Sequence, residues 1–354
     1  MRILQLGPYP PPYGGIQVNL VAIRDFLLKH GHQCSVINIT RHRNKDSEGG
    51  VYYPKSAFAL LKLLYGLKYD VVHLHIGGYL HLRLLGLAFV CSLIPHRKSV
   101  LSFHSGGYPN SPAGRSARYT TLRGFVFRRF DCIIAVNPQI VEMFERFGVS
   151  RSRLRLIEPH AVGEQRCDLD FPAPLKAFIE SHDPLLLTVG LLERHYDMTI
   201  QIDVLEEIRE RWPAAGLVII GSGSLEKYLA EHIASKSYAA HVLLCGDVEH
   251  PLTLRAIEEC DLFLRTTFYD GDSIAVREAL HFGVPVIATA NGMRPPGVHL
   301  VPVSDASALT NAIFNQLTTG QGRSNSGAEG PQTGEPSDKN IAAVVDVYRE
   351  LIEA

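Results

Sequence analysis

The sequence predicts an α/β protein made of two doubly wound, Rossmann-like domains in tandem. Three observations carry this expectation. Short apolar runs alternate with longer segments of helical periodicity, the pattern of a parallel sheet covered on both faces. Several of the short runs end in Gly-bearing turns that lead into a helix. The alternation breaks over Ala161–Pro184 and then begins again, and 354 residues suit two such domains.

In the first half, Arg2–Leu6 is an apolar run that meets Gly and Pro at once, so it reads as a buried strand entering a loop. Ile16–His30 has apolar residues near helical spacing and stops at Gly31, a C-terminal signal. Cys34–Ile39 is a strand and Ala57–Leu67 a helix. Strand Val71–Leu74 ends in a His-Ile-Gly-Gly turn, helix Leu80–Leu93 follows, and Ser99–Phe103 is the next strand. Tyr119–Phe130 reads as a helix and Cys132–Val136 as a strand, and Asn137-Pro138 opens a helix that runs to about Phe147.

The second half repeats the scheme. Strands are expected at Leu185–Val189, Gly216–Ile220, Val242–Cys245, Leu262–Leu264 and Val284–Ala288. Helices are expected at Thr199–Arg211, Pro251–Cys260, Ser273–Phe282, which stops at Gly283, and Ser304–Leu317. Ala161–Pro184, with three prolines, is taken as the linker region, and residues 1–163 and 164–318 as the two domains. Residues 319–340, poor in apolar and rich in small polar residues, read as a flexible loop. Residues 341–353 form an amphipathic helix too short to stand alone, so it must dock, and the first domain is its expected seat.

Composition excludes bulk disorder: 46% of residues are hydrophobic and 20% charged. The net charge of −1 hides a division. Residues 1–165 carry 21 Lys and Arg against 9 Asp and Glu, a net +12, whereas the remaining 14 and 27 give −13. A basic half suits phosphates or an anionic surface; the two halves could equally attract each other. Arg41, Arg43 and Lys45 form one basic cluster, and Arg115, Arg118, Arg123, Arg128 and Arg129 another. The six cysteines form no C-x-x-C pair, which fits a reducing cytosol better than a disulfide scaffold. The longest uncharged apolar run, Leu84–Ile94, is too short to span a bilayer. No nucleic-acid recognition module is evident.

Four strand-end segments carry candidate chemistry. Gly7–Gly15 places Gly14 and Gly15 at a helix start, where backbone can approach a phosphate. His104, with Ser105, Gly106 and Gly107, follows a strand and can donate to a sugar hydroxyl or a developing charge. His73 and His75 stand near a second strand end without carboxylates at metal-ligand spacing, so no metal is expected. Gly190, with Glu193, Arg194 and His195, opens the second domain's first loop, and Gly221 and Gly223 repeat the theme one strand later. The fourth segment runs from Arg265 through Asp270, Gly271, Asp272, Ser273 and Ile274 to Glu278. One carboxylate at the loop mouth can take sugar hydroxyls, and another eight residues on can take a ribose diol.

Together these segments resemble the retaining glycosyltransferases of family four, which have the GT-B fold. Gly14-Gly15, His104 and Asp270…Glu278 match its N-terminal Gly-Gly loop, its first-domain His and its E-x7-E motif, and the stretch from Asp270 to Thr289 is very similar to the family's. The resemblance covers residues 1–317. It implies two domains facing each other across a cleft, with the donor held mainly by the second and the acceptor by the first. Glu278 would hold the ribose and Asp270 the transferred sugar. The Ser273 and Ile274 amides would hold phosphate or sugar, and the base would lie near Gly246–Val248, with Val248 in contact. His104 would stand by the sugar and Gly15 by the diphosphate. No metal or other cofactor is implied.

Two departures stand out. Asp270 is one methylene shorter than the usual Glu. Leu191 and Tyr196 occupy the places where the family carries an Arg and a Lys for the diphosphate, so Arg194 or Arg265 must take over. The resulting expectation is metal-independent, retaining transfer from a nucleotide-diphosphate sugar, UDP-linked above others. The acceptor would be a saccharide or lipid-linked molecule in polysaccharide or glycolipid assembly. The setting would be cytoplasmic, with peripheral contact to an anionic membrane face through the basic domain. The alternatives are a GT-B epimerase or hydrolase of nucleotide sugars, and a non-catalytic donor-binding subunit of a transferase complex.

Overall fold

The computed structural model describes residues 1–11, 14–40, 47–78, 80–159, 169–319 and 338–354. Arg41, Arg43 and Lys45, and the loop expected at 319–340 apart from its first and last residues, lie outside the described residues. The described chain divides into two compact units, one of residues 1–11, 15–159 and 338–354, the other of residues 14 and 169–319.

The first unit is a parallel sheet in the order β3-β2-β1-β4-β5-β6-β7. Its strands are β1 (Arg2–Gly7), β2 (Gln33–Asn38), β3 (Val51–Tyr52), β4 (Val71–Ile76), β5 (Lys98–Phe103), β6 (Cys132–Ala135) and β7 (Leu154–Leu156). Helices α2 (Ala57–Gly66), α3 (Leu82–Cys91), α5 (Leu122–Phe127) and α6 (Pro138–Arg146), with the single turn α4 (Pro112–Arg115), connect strands that step in one direction across the sheet. Right-handed crossovers therefore put them on one face, and they share one apolar cluster with Leu4, Leu74 and Phe103. Helix α1 (Gly15–Lys29) steps the other way and covers the opposite face. A helix from much later in the chain, α13 (Lys339–Glu353), joins it there: Ile341, Val344, Val345 and Tyr348 pack with Ile3, Ile23 and Val71.

The second unit is a parallel sheet in the order β10-β9-β8-β11-β12-β13. Its strands are β8 (Leu185–Val189), β9 (Gly216–Ile220), β10 (Val242–Gly246), β11 (Leu262–Arg265), β12 (Val286–Thr289) and β13 (His299–Val301). Helices α8 (Met198–Arg211), α9 (Glu226–Ala234) and α12 (Ala306–Thr318) cover one face. Helices α7 (Ala173–Ser181), α10 (His250–Glu259) and α11 (Ile274–His281) cover the other. The strand order reverses at β8, which pairs with β9 on one side and β11 on the other. The carboxyl ends of β8 and β11 thus flank the crevice where doubly wound sheets bind ligands.

Several expectations need correction. The stretch Ala161–Pro184 is not all linker: Ala173–Ser181 is a helix whose Leu175 and Phe178 are buried. The single helix expected over Tyr119–Phe130 is only Leu122–Phe127, because the Thr121 hydroxyl accepts the Gly124 amide and starts the helix there. Strands β3, β7 and β13 and helix α9 have no counterpart among the expected elements.

Candidate active site

The strand-end loops of the second unit are knit together by glycines. The Gly190 amide donates to Ile220 O at 3.0 Å, and the Gly221 amide to Gly246 O at 2.8 Å. Gly221 sits at φ +134°, and any Cβ there would collide with the Gly190 carbonyl. A Cβ at Gly223 would lie 2.5 Å from the Leu192 carbonyl oxygen. These loops can pass this closely only without side chains.

Arg265, the last residue of β11, fills the space beside Gly190. Its Nη1 donates to Val189 O at 2.8 Å, its guanidinium lies 4.7 Å from the Tyr196 ring centroid, and its Nε donates to Asp270 Oδ2 at 2.9 Å. The same carboxylate oxygen accepts Nη1 of Arg294, also at 2.9 Å. Arg294 is held in turn by Thr267 Oγ1 at 2.7 Å and the Thr289 carbonyl at 3.0 Å. Two guanidiniums thus clamp one oxygen of Asp270, while the other, Oδ1, accepts the Gly271 amide at 3.1 Å. All three side chains are nearly buried, Asp270 being the most exposed at 11%. Burial alone would push the Asp270 carboxyl up. Arg265 and Arg294 outweigh it and hold the group below the usual carboxylate range, so it is a fixed anion. The trio carries a net positive charge.

The loop then enters α11. Ser273 is its N-cap, the hydroxyl accepting the Val276 amide. The amides of Ser273 and Ile274 stand at the open end of the helix without intrahelical acceptors, where the dipole favours an anion. Asp272 is held by a bidentate pair with Arg277, both contacts at 2.7 Å. Glu278, one turn inside α11, is only 3% exposed and takes Nε2 of His250 at 2.7 Å. A hydroxyl pair reaching this carboxylate must share it with His250 or displace the ring, which is 23% exposed. Val248 is buried in the α7/α10/α11 core and offers its backbone rather than its side chain, its carbonyl accepting Thr253 Oγ1. Arg194 lies exposed on a single 3-10 turn, and Leu191 is exposed as well. Of the two arginines that the sequence left open, Arg265 is therefore the one packed against Gly190.

In the first unit, Gly15 opens α1; Gly14, the residue before it in sequence, groups with the second unit. Gly7, at the end of β1, has no room for a Cβ between Leu20 and His75. The His104 amide donates to Ile76 O at 2.7 Å, which ties the loop after β5 to the end of β4. Its ring lies 5.8 Å from that of His75, and His75 lies 4.0 Å from His73. His75 Nε2 donates to Gln5 Oε1 at 3.0 Å, and His73 pairs with Tyr348 Oη at 2.5 Å and Ser102 Oγ at 2.8 Å. Nδ1 of His75 and Nε2 of His104 are buried without a partner among the described residues. Burial pushes His104 down to about 4; burial and the charge of His104 push His73 down to about 3. All three rings are neutral at neutral pH, so His104 can act as a hydrogen-bonding group and not as a standing cation. Among the described residues no three His, Cys, Asp or Glu side chains are grouped to hold a metal ion.

Arg294, Thr267 and His250 are contributors that the sequence reading missed. Arg294 lies in an irregular loop after β12, far in sequence from Asp270, and no spacing links the two. His250 gave a weak signal, as the residue that opens a helix at the end of a strand-end loop.

Comparison with known proteins agrees with this geometry. The model for glycosyltransferase family 4 matches residues 13–160, and that for glycosyl transferases group 1 matches residues 175–299. The amylovoran biosynthesis glycosyltransferase AmsK of Erwinia amylovora is 29% identical over 153 residues, 40% of this chain and 37% of that one. An uncharacterized glycosyltransferase of Methanocaldococcus jannaschii is 28% identical over 105 residues, 30% of this chain and 25% of its own. The matches thus span little more than a third of these curated relatives at most. Among solved structures, Anabaena HepE in complex with UDP-glucose superposes with a TM-score of 0.68 at 15% identity, covering 100% of this chain and 98% of the other. Sucrose-phosphate synthase from Thermosynechococcus elongatus gives 0.67 at 17% identity, with 100% of both chains covered. Those likenesses establish the two-domain fold. With both halves matched by their own family models, the chain belongs to the group 1 glycosyltransferases of GT-B fold.

Proposed function

We propose that this protein transfers a sugar from a UDP-sugar to a saccharide or lipid-linked acceptor, with retention of anomeric configuration and without a metal ion. The observation that carries the reading is the clamp at the β8/β11 crevice. A carboxylate fixed by two arginines stands next to the open amides of α11, with a second carboxylate eight residues on.

In this reading Glu278 takes the ribose hydroxyls, moving His250 to do so. The amides of Ser273 and Ile274 and the Arg265 guanidinium meet the diphosphate. As the bond to the leaving oxygen lengthens, charge grows on that diphosphate. Fixed dipoles and one buried cation stabilise it without reorganising. Asp270 presents Oδ1 to a hydroxyl of the transferred sugar, and the two arginines compensate for its shorter side chain by removing its rotational freedom. His104, neutral, serves as a hydrogen-bonding group of the acceptor-binding unit. The complexes of HepE with UDP and with UDP-glucose support the donor class. The role of AmsK in amylovoran biosynthesis supports a polysaccharide setting.

A thermal-shift screen against UDP-, GDP-, ADP- and dTDP-sugars tests the donor. A ligand at 100 times its Kd adds about 2.7 kcal/mol. Stabilisation by UDP-sugars above the others is expected; stabilisation by a different base alone would overturn the UDP assignment. The anomeric configuration of the product, read by NMR, tests retention. Leu191 and Tyr196 favour a second reading, donor binding without turnover, because neither offers a cation to the leaving group. Donor-dependent stabilisation with no transfer to any acceptor, and no hydrolysis or epimerisation of donor, would select it.

A further inference from the structure

His195 is a titratable group at the β8/β11 crevice to which the proposed function gives no task. It lies in the single turn Arg194–Tyr196 that follows Gly190, and this turn is sewn to the loop leaving β11. The His195 carbonyl accepts the Phe268 amide at 2.9 Å, and the Thr266 hydroxyl reaches the carbonyls of Tyr196 and Asp197 at 3.0 and 3.1 Å. The imidazole is thereby fixed between the two loops. It lies parallel to the ring of Tyr269, the residue before Asp270, with 4.8 Å between centroids and 1° between planes, and the Tyr196 ring is 4.7 Å away. Stacking holds the ring by its face and leaves its edge unused. The side chain is half-buried, and neither ring nitrogen has a hydrogen-bond partner among the described residues. Burial and then Arg265 lower its pKa, and Asp270 and Glu193 offset this only in part, so the ring is neutral in the free protein at neutral pH. Both of those carboxylates are committed elsewhere. Asp270 is taken by Arg265, Arg294 and the Gly271 amide, and Glu193 by the Ser224 amide at 2.9 Å and hydroxyl at 2.7 Å. Of the charged neighbours in its own turn, Arg194 is exposed and Asp197 accepts the Ser304 hydroxyl at 3.1 Å. What would pair with a charged His195 is thus an anion brought from outside.

We propose that His195 contacts the diphosphate of the donor and takes up a proton as the donor binds, supplying beside Arg265 the second cation that Leu191 and Tyr196 do not offer. The inference rests on the reading of this crevice as the donor site. A diphosphate brings negative charge and acceptor oxygens to the free edge of the ring, which reverses the influence of Arg265 and favours the imidazolium. The proton comes from solvent and returns to it when the nucleotide leaves, so no covalent bond of the protein other than this N–H is made or broken. Part of the leaving-group stabilisation therefore arrives with the substrate, while the free protein is spared two unpaired cations side by side.

The test is calorimetry of the full chain with UDP-glucose, whose diphosphate has no group that titrates near neutrality. Repeating the titration in buffers of different ionisation enthalpy counts the protons exchanged. Net uptake is expected, with affinity falling as pH rises from about 6.5 to about 8.5, by up to about tenfold per pH unit. His195→Phe keeps a ring stacked on Tyr269 and removes both nitrogens. It should bind without proton uptake, with a flat pH profile and an affinity about tenfold below wild type at the acid end. His195→Lys should restore the affinity and keep the flat profile, because its charge needs no proton from solvent. Unchanged circular dichroism and Tm of the free variants separate a lost contact from lost folding. Binding by the wild type without proton uptake would overturn the inference and leave the donor reading standing. Uptake that survives in His195→Phe would do the same, since the proton would then sit on another group. Absence of binding by any UDP-sugar would sink the UDP-donor reading, and this inference with it.

Discussion

Replacing Arg294 tests whether the Asp270 clamp is built as described. Arg294→Met keeps most of the chain length and removes the charge and the donors. The side chain is 3% exposed, and its loss leaves the buried Asp270 with Arg265 as its remaining ion-pair partner. Breaking a buried pair costs about 3–5 kcal/mol. Arg265 still neutralises the carboxylate, so the lower end, about 3 kcal/mol, is expected. For a unit of this size that is a drop of roughly 6–12 °C in Tm. Trp212, the single tryptophan, packs on Phe314 within the second unit and reports its unfolding by fluorescence in urea. Exposed Arg194→Met is the control and should stay within about 0.5 kcal/mol of wild type. A cycle with Asp270→Asn should show coupling, because both substitutions disrupt the same oxygen. If Arg294→Met shifted stability by less than about 1 kcal/mol, the pair would be no stronger than a surface ion pair. The argument that two guanidiniums pre-orient Asp270 would then fail.

Three further outcomes are expected. Glu278→Gln should weaken UDP binding in calorimetry by about tenfold or more, the scale of a hydrogen bond to a charged acceptor; unchanged affinity would displace the ribose from this residue. Tyr348→Phe leaves a ring nitrogen of buried His73 without its partner and should cost about 1–3 kcal/mol in urea unfolding; a neutral effect would mean that a water serves the ring instead. His73 and His104 bind protons less readily folded, near 3 and 4, than unfolded, near 6.5. The unfolded chain therefore holds more protons below pH 6.5, so stability is complete above that pH and declines as pH falls toward 4, at up to ~1.4 kcal/mol per pH unit for each ring. Urea midpoints measured between pH 7.5 and 4.5 should fall accordingly, with a shallower slope in His73→Gln; a flat profile would show that the rings are not buried as neutral groups.

How much of this was legible in the sequence depended on whether the signal was local. The strands at Val71–Ile76, expected as Val71–Leu74, and at Leu185–Val189 announce themselves by short, mostly apolar runs, and α11 by its N-cap and terminal Gly. Strand β3 has two residues and β13 three, too few for any period, and each takes its strand geometry from a neighbour already in the sheet. Helix α7 hid in a Pro-containing stretch because Pro172 and Pro174 stand at its start, where proline is tolerated, and not inside it. In the site, Asp270 and Glu278 were legible as a spaced pair on a loop and helix. What holds them was not: Arg294 reaches Asp270 across 24 positions of sequence, and His250 reaches Glu278 across 28. Such pairings are decided by sheet order, which a linear pattern does not encode.

The docking of α13 on the first sheet also constrains how the chain comes to fold. The core of the second unit is drawn entirely from residues 169–319, a continuous run of the described chain. That of the first is not: Tyr348 closes over His73 from 275 positions away, and the cluster around Ile3, Ile23 and Val71 stays open until that helix arrives. During synthesis the amino-terminal sheet therefore waits, one apolar face covered by α1 alone, while the whole of the other unit is made. The unit translated first is the last to be finished, so a ribosome that stalls after the second unit releases one completed unit tethered to one that is still sticky.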